Sequence, residues 1–278
     1  VSVKMVQWFD DHWYKIEHED EGFDYLPSVT TKLQAEPKPF LAKWRGDIGN
    51  READLRSREA TDKGSRIHHA CEVYSTGGAV VYNPPHRPNY TKAQLDEIHP
   101  ASGVIEILRD QDEMLQVWRF QQWMQAVQPR ILGIEQVVYS EGMYAAGTVD
   151  YILQINEGKY QINGSKPLEL KGGIYIADVK SGGLYDSAYY QMAAYRKMYE
   201  MLNDCECAGC MVLHLNAKIR SGIPGMATVL RTEQYEEDLD TYNRIAAVWE
   251  ATNKNAHPRV FELPTLIMRS ENNENADG

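Results

Sequence analysis

Four cysteines in 278 residues, three of them bunched between 205 and 210, are too few for a disulfide scaffold. No apolar run approaches the roughly 18 to 20 residues of a membrane span, and the first residues lack the basic-then-apolar order of a signal peptide. Positive charge is also scarce. The chain carries 29 Lys and Arg against 40 Asp and Glu, a formal charge of -11, which argues against a protein that coats nucleic acid regardless of sequence. No GxxxxGK phosphate loop occurs, so this chain holds no P-loop motor, and no internal repeat is present. What is left is a chain of ordinary globular composition, 43% apolar and 25% charged. It is long enough for a real core, and the expected compartment is the cytoplasm, with no membrane partner.

Local charge departs from the overall balance. From Lys38 to Arg66, eight basic residues (Lys38, Lys43, Arg45, Arg51, Arg56, Arg58, Lys63, Arg66) face five acids (Asp47, Glu52, Asp54, Glu59, Asp62). Such a stretch is either a solvated, ion-paired face or a contact for DNA.

Residues 1–24 mix aromatic and charged side chains without a clean period. Tyr25 to Thr31 reads as an extended segment followed by a helix capped by Ser28 or Thr30. Residues 40–60 look helical, with Leu41, Trp44, Ile48 and Leu55 as candidate core positions, and a new helix is expected from Thr61 or Asp62 to Tyr74. A proline-rich loop follows Gly77-Gly78. Thr91 to Gln128 is helical in pattern, with Leu108, Leu115, Trp118 and Trp123 as its apolar stripe. Strands are then expected over Ile131–Ser140, Met143–Ile155 and Ile174–Val179, with an excursion around Asn163-Gly164. A helix over Tyr185–Leu202, strands over Met211–Leu215 and Ala227–Arg231, and a helix over Glu233–Ala251 complete the order. This is an α/β chain with a mixed central sheet flanked by helices and an elaborated helical N-terminal half. It reads as one domain over residues 1–268, with a helical lobe over about 25–128 and a catalytic core over about 129–255. Residues 269–278 form a polar tail expected to be disordered.

The chemistry gathers around Asp178-Val179-Lys180. In a strand Asp178 and Lys180 share one face and Val179 the other, so an apolar run delivers a carboxylate and an amine side by side. Charges are rarely buried unless paired or bound to a metal. Asp150 ends Gly147-Thr148-Val149-Asp150 in a neighbouring strand, and Gln191 and Tyr195 lie four apart on a helix. Phosphodiester hydrolysis needs a neutralised phosphate, an activated water and a stabilised leaving oxygen, and a divalent cation can serve all three. Asp150, Asp178 and the Val179 carbonyl suit Mg2+, and an imidazole from His68 shifts the preference toward Mn2+. Lys180 is then available to orient or deprotonate the water, or to balance charge on the phosphate.

The ordered set Gly64-x-x-x-His68, Glu135, Gly147-Thr-Val-Asp150, Asp178-Val-Lys180 and Gln191-x-x-x-Tyr195 resembles the RecB-type nucleases of the PD-(D/E)XK superfamily. The look is nearest to stand-alone phage exonucleases and mitochondrial genome maintenance exonucleases, also through Leu26-Pro-Ser-Val-Thr30. The resemblance spans roughly Tyr25 to Leu215 and implies a restriction-endonuclease-like core. It assigns His68, Asp150 and Asp178 to the metal and Lys180 to catalysis. Glu135 is an assisting strand acid, although a solvated strand face is the alternative. Gln191 and Tyr195 would hold the lysine and touch DNA, with Arg66 and Ser181 completing the substrate contacts. The implied activity is metal-dependent exonuclease cleavage of DNA ends, with single strands preferred, in the host cytoplasm for a phage-encoded chain. Alternatives are a structure-specific endonuclease of the same superfamily, a nucleic-acid-binding module without chemistry, and a structural adaptor. Some RecB-type nucleases hold an iron-sulfur cluster on one upstream and three downstream cysteines. Cys71 lies after His68, and Cys205-x-Cys207-x-x-Cys210 is tighter than that pattern, so reduced, incidental cysteines are the expectation and a cluster or structural zinc the alternative.

Overall fold

Runs such as Gly-Ile-Tyr-Ile-Ala-Asp-Val and Met-Val-Leu-His-Leu are apolar at consecutive positions, the pattern of strands covered on both faces. The computed structural model describes residues 2–8, 11–18, 22–162, 167–218 and 224–258, and it places both runs at the centre of a five-stranded sheet. The first elements are β1 (Ser2–Trp8), β2 (Asp11–Glu17), β3 (Phe23–Pro27), α1 (Val29–Lys32) with a 3-10 turn at Leu33–Ala35, α2 (Pro39–Ile48) and α3 (Asn50–Ser75). They are followed by β4 (Ala79–Tyr82), α4 (Lys92–Asp96), β5 (Ile105–Leu108) and α5 (Gln111–Val127). The remainder is β6 (Arg130–Ser140), β7 (Ala145–Ile155), β8 (Gly158–Tyr160), β9 (Leu168–Leu170), β10 (Gly173–Lys180), α6 (Ser187–Asn203), β11 (Gly209–Lys218), β12 (Pro224–Leu230) and α7 (Tyr235–Thr252).

The central sheet runs β12-β11-β10-β7-β6 and is mixed: β10 and β11 are parallel, joined by α6, and the other neighbours are antiparallel. Helices cover both faces. Tyr175, Ala177 and Val179 pack with Ile67 and Cys71 of α3 and Phe120 and Trp123 of α5. Ile176 and Val212 pack with Met192 and Met198 of α6 and Tyr242 of α7. Side chains in β10 therefore alternate between layers as a strand requires, which puts Asp178 and Lys180 on the α6 side.

The N-terminal half is not simply helical. β1, β2 and β3 form an antiparallel sheet where no period was readable, because Trp13 and Tyr14 are consecutive and both buried. Trp13 meets Trp249 of α7 and Tyr14 packs on Ala146, so both faces are covered and the alternation disappears. Thr61 and Asp62 do not start a helix. They lie inside the 26-residue α3, where Thr61 Oγ1 donates back to the Ser57 carbonyl. Leu41, Trp44 and Ile48 are only half-buried and Leu55 is 49% exposed, so α2 and the first half of α3 form an arm with Ala53 as its single buried residue. Leu108 is buried in strand β5, not in a helix, and the stripe of α5 is rotated from the expected one. Val117, Phe120, Trp123 and Val127 face the sheet while Trp118 is 49% exposed. Ser28, not Thr30, caps α1, its hydroxyl accepting from Thr31 N at 2.9 Å. The tail expected at 269–278 and the excursion expected around Asn163-Gly164 lie outside the described residues.

Trp123 fills the α5–sheet interface and its Nε1 donates to Thr228 Oγ1 at 3.0 Å. Trp123→Ala should therefore cost about 3–5 kcal/mol in a urea titration. Trp118→Ala should stay within about 0.5 kcal/mol, and equal losses would refute the rotated stripe.

Candidate metal centre

Val149 and Tyr151 are two residues apart in β7, yet Val149 packs in the α6–α7 layer and Tyr151 in the α3–α5 layer. Regular alternation would send both to one side, so the strand changes faces at Asp150. Strand β6 is irregular at the same level. Its ladder to β7 pairs Ile134 with Tyr151 and Gln136 with Val149, and Glu135 between them has φ of 48°. A left-handed backbone costs a residue bearing a Cβ about 1–3 kcal/mol, which the surrounding structure must offset.

On the other side, the β7–β10 ladder stops at the Tyr151–Ala177 pair, and from Asp178 onward β10 pairs only with β11. The Val179 N–H on that open side donates to Asp150 Oδ2 at 2.8 Å. A side-chain carboxylate thus replaces the departing strand and keeps the backbone donor satisfied. Helix α3 supplies the next group. A Cβ at Gly64 would sit 3.4 Å from Ser181 Oγ, so the helix lies close against the turn after β10. One helical turn later His68 Nδ1 is 3.4 Å from the same Asp150 oxygen. Ligand atoms of His68, Glu135 and Asp150 all lie within 4.8 Å of one another, in a cleft of about 400 Å³ also lined by Ser65, His69 and Glu72.

Asp178 lies outside that trio. Its carboxylate is buried, with Lys180 Nζ 3.0 Å from Oδ1 and 2.9 Å from Oδ2, and only the first contact has hydrogen-bond geometry. Burial pushes the Asp178 pKa up, Lys180 opposes this, and Asp150 adds to it. Burial pulls Lys180 down, but Asp178 and Asp150 outweigh it and hold the lysine above its ordinary value. Glu135 is exposed as a residue, yet protein crowding around its carboxyl, then the charges of Asp150, Glu72 and Asp178, push its pKa up to about 7.

These features fit a divalent cation. Glu135 is repelled by Asp150, Glu72 and Asp178, Asp178 Oδ2 has the Lys180 charge beside it but no hydrogen bond among the described residues, and the donors are hard oxygens with one imidazole. That set suits Mg2+ or Mn2+. No family model and no curated protein matches the chain. The resemblance to RecB-type nucleases therefore rests on the motifs alone.

Among the other expected site residues, Gln191 Nε2 donates to Tyr195 Oη at 2.9 Å, and the Tyr195 ring fills the space over Gly147, where a Cβ would come within 2.2 Å of it. That contact explains the glycine and fixes α6 on β7. Val179 enters through its N–H. Arg66 is directed away: its guanidinium holds the buried Glu113 at 2.6 and 3.0 Å and borders a different cleft with Tyr82 and Arg109. The thiols of Cys205, Cys207 and Cys210 do not form a ligand group among the described residues, and Cys71 is buried in the α3–α5 layer. Two site neighbours were not foreseen. Glu72 lies four residues after His68 on α3, a spacing readable in the sequence. His214 pairs across β11 with Lys180, and its Nε2 is 2.7 Å from the Gly182 carbonyl. Its signal was a polar residue interrupting Met-Val-Leu-His-Leu.

Loss of even an outer partner of a metal ligand lowers affinity roughly 10- to 100-fold. His68→Ala and Asp150→Ala should weaken Mn2+ binding by at least about that much in calorimetry, whereas His69→Ala leaves it unchanged. Equal affinities across the three variants would remove the site.

Proposed function

We propose that the chain is a divalent-metal-dependent nuclease that hydrolyses DNA phosphodiesters from ends, with single strands as the preferred substrate. One observation carries the reading. Where β7 parts from β10, His68, Glu135 and Asp150 converge beside a half-buried Lys180 paired with the buried Asp178. The mixed central sheet with helices on both faces supports the reading at the level of an α/β core.

His68, Asp150 and Glu135, with Asp178 as an additional acceptor, would hold a divalent cation, which would supply neutralisation of phosphate charge and a lowered pKa of water. The protein's own groups do the rest. Lys180, clasped by Asp178, presents a positive charge to the phosphate as its charge redistributes in the transition state. Asp178 fixes that amine in place. Asp150 holds the Val179 backbone, so the segment carrying Lys180 keeps its course after the ladder ends. Tyr195, oriented by Gln191 and seated on Gly147, keeps α6 against the same segment of β7.

DNA as substrate is supported by the α2–α3 arm. Arg45, Arg56, Lys63 and Arg66 there are in ion pairs, but among the described residues Lys38, Lys43, Arg51 and Arg58 are not. Asp47, Glu59 and Asp62 are likewise outside ion pairs among the described residues, so the stretch keeps its excess of eight basic over five acidic residues, a local field for phosphates.

Lys180→Ala should lower the rate of single-stranded DNA digestion by about 100- to 1,000-fold while leaving Mn2+ affinity and circular dichroism intact. A chelator should abolish wild-type digestion. A Lys180→Ala protein that digests at the wild-type rate would sink the assignment.

A further inference from the structure

Between β10 and α6 the chain runs through Ser181-Gly182-Gly183-Leu184-Tyr185-Asp186. Two contacts fix its first half: Ser181 against α3 at Gly64, and the Gly182 carbonyl against His214. In its second half Tyr185 stacks on Phe40, the second residue of α2, with ring centroids 5.1 Å apart and planes 19° from parallel. Both rings are solvent-exposed, at 55% and 50%, and neither belongs to a core cluster. They line a cleft of about 360 Å³ with Pro37, Leu41 and Leu184 as apolar walls and Glu36, Lys38 and Asp186 as polar groups.

An exposed pair of parallel rings offers a flat face to another flat group. The charges beside it limit which one. Glu36 and Asp186 repel a phosphate but accept from N–H groups on the edge of a base. Lys38 in the cleft wall, unpaired among the described residues, and Lys43 five residues on would attract the phosphates on either side. A π-face, edge donors and flanking phosphates together describe a nucleotide whose base is not stacked in a duplex. We propose that Phe40 and Tyr185 form a shelf on which a base of single-stranded DNA stacks, five residues along the chain from Lys180. The inference deepens the nuclease reading and rests on it: the shelf would be the source of the single-strand preference.

The test is fluorescence anisotropy in chelator with three probes: a short oligothymidylate, the same backbone with abasic sites throughout, and a blunt duplex. Base–aromatic stacking is worth about 1–3 kcal/mol per base by alanine substitution, so Phe40→Ala and Tyr185→Ala should each weaken oligothymidylate binding by about 5- to 150-fold. Binding of the abasic strand should not change, and Tyr185→Phe should retain wild-type affinity. Both rings are on the surface, so the alanine variants should fold as the wild type does, checked by circular dichroism. Equal losses on the normal and abasic strands, no loss on either, no binding of oligothymidylate by the wild type, or a duplex held as tightly as the single strand would overturn the shelf. Metal-dependent digestion by the wild type is scored separately. A protein that cleaves but shows no base-dependent loss refutes the shelf and leaves the nuclease reading standing, whereas ring-dependent binding without cleavage does the reverse.

Discussion

A backbone N–H buried at the edge of a broken strand ladder must find an acceptor, and in this protein the Val179 N–H finds the carboxylate of Asp150. The rest of the site depends on that substitution. Because β7 stops pairing with β10 after Ala177, a gap opens at the end of the central strand, and Asp150 bridges it through the Val179 N–H. The face switch of β7 at Asp150 and the left-handed Glu135 beside it are the local cost of the opening. That cost is sustained by a sheet packed on both faces, where Ile176, Ala177, Val179 and Val212 are almost wholly buried. Rigidity in the layers permits irregularity at one level of the sheet.

Electrostatics follow from the same geometry. Asp178 cannot sit on a buried face as a bare charge, and Lys180, two residues on, is the nearest group that can meet it. Asp150, Glu135 and Glu72 then line one small volume, and burial of the Glu135 carboxyl, followed by the charges of Asp150, Glu72 and Asp178, raises its pKa. On the proposed nuclease reading a divalent cation would neutralise these acids. The exposed arm meanwhile concentrates free lysines and arginines that the overall charge of -11 conceals. On the proposed nuclease reading that surface matters more than the net charge, because attraction for a polyanion is a local property.

Much of the core was legible because its strands are apolar at consecutive positions and its helices end at recognisable points. The N-terminal sheet was not, since Trp13 and Tyr14 face different partners and erase the period. The length of α3 was hidden by Thr61 and Asp62, residues that cap helices elsewhere but here occupy the exposed side of one. In the site, the pairing of Asp178 with Lys180 followed from strand alternation alone, and the closeness of His68 to Asp150 followed from the ordered motifs. The Glu135 conformation could not be read, because a positive φ at a glutamate is imposed by tertiary contacts. Nor could the diversion of Arg66, whose partner Glu113 is 47 residues away.

We propose that the opening between β7 and β10 is a metal-dependent site for cutting DNA from its ends. Digestion of end-labelled linear and of circular single-stranded DNA, with Mg2+, Mn2+ or chelator, tests it most directly. The account predicts that the linear strand is consumed with either metal, that the circle survives, and that chelator protects both. A linear strand left intact in the presence of both metals would contradict it.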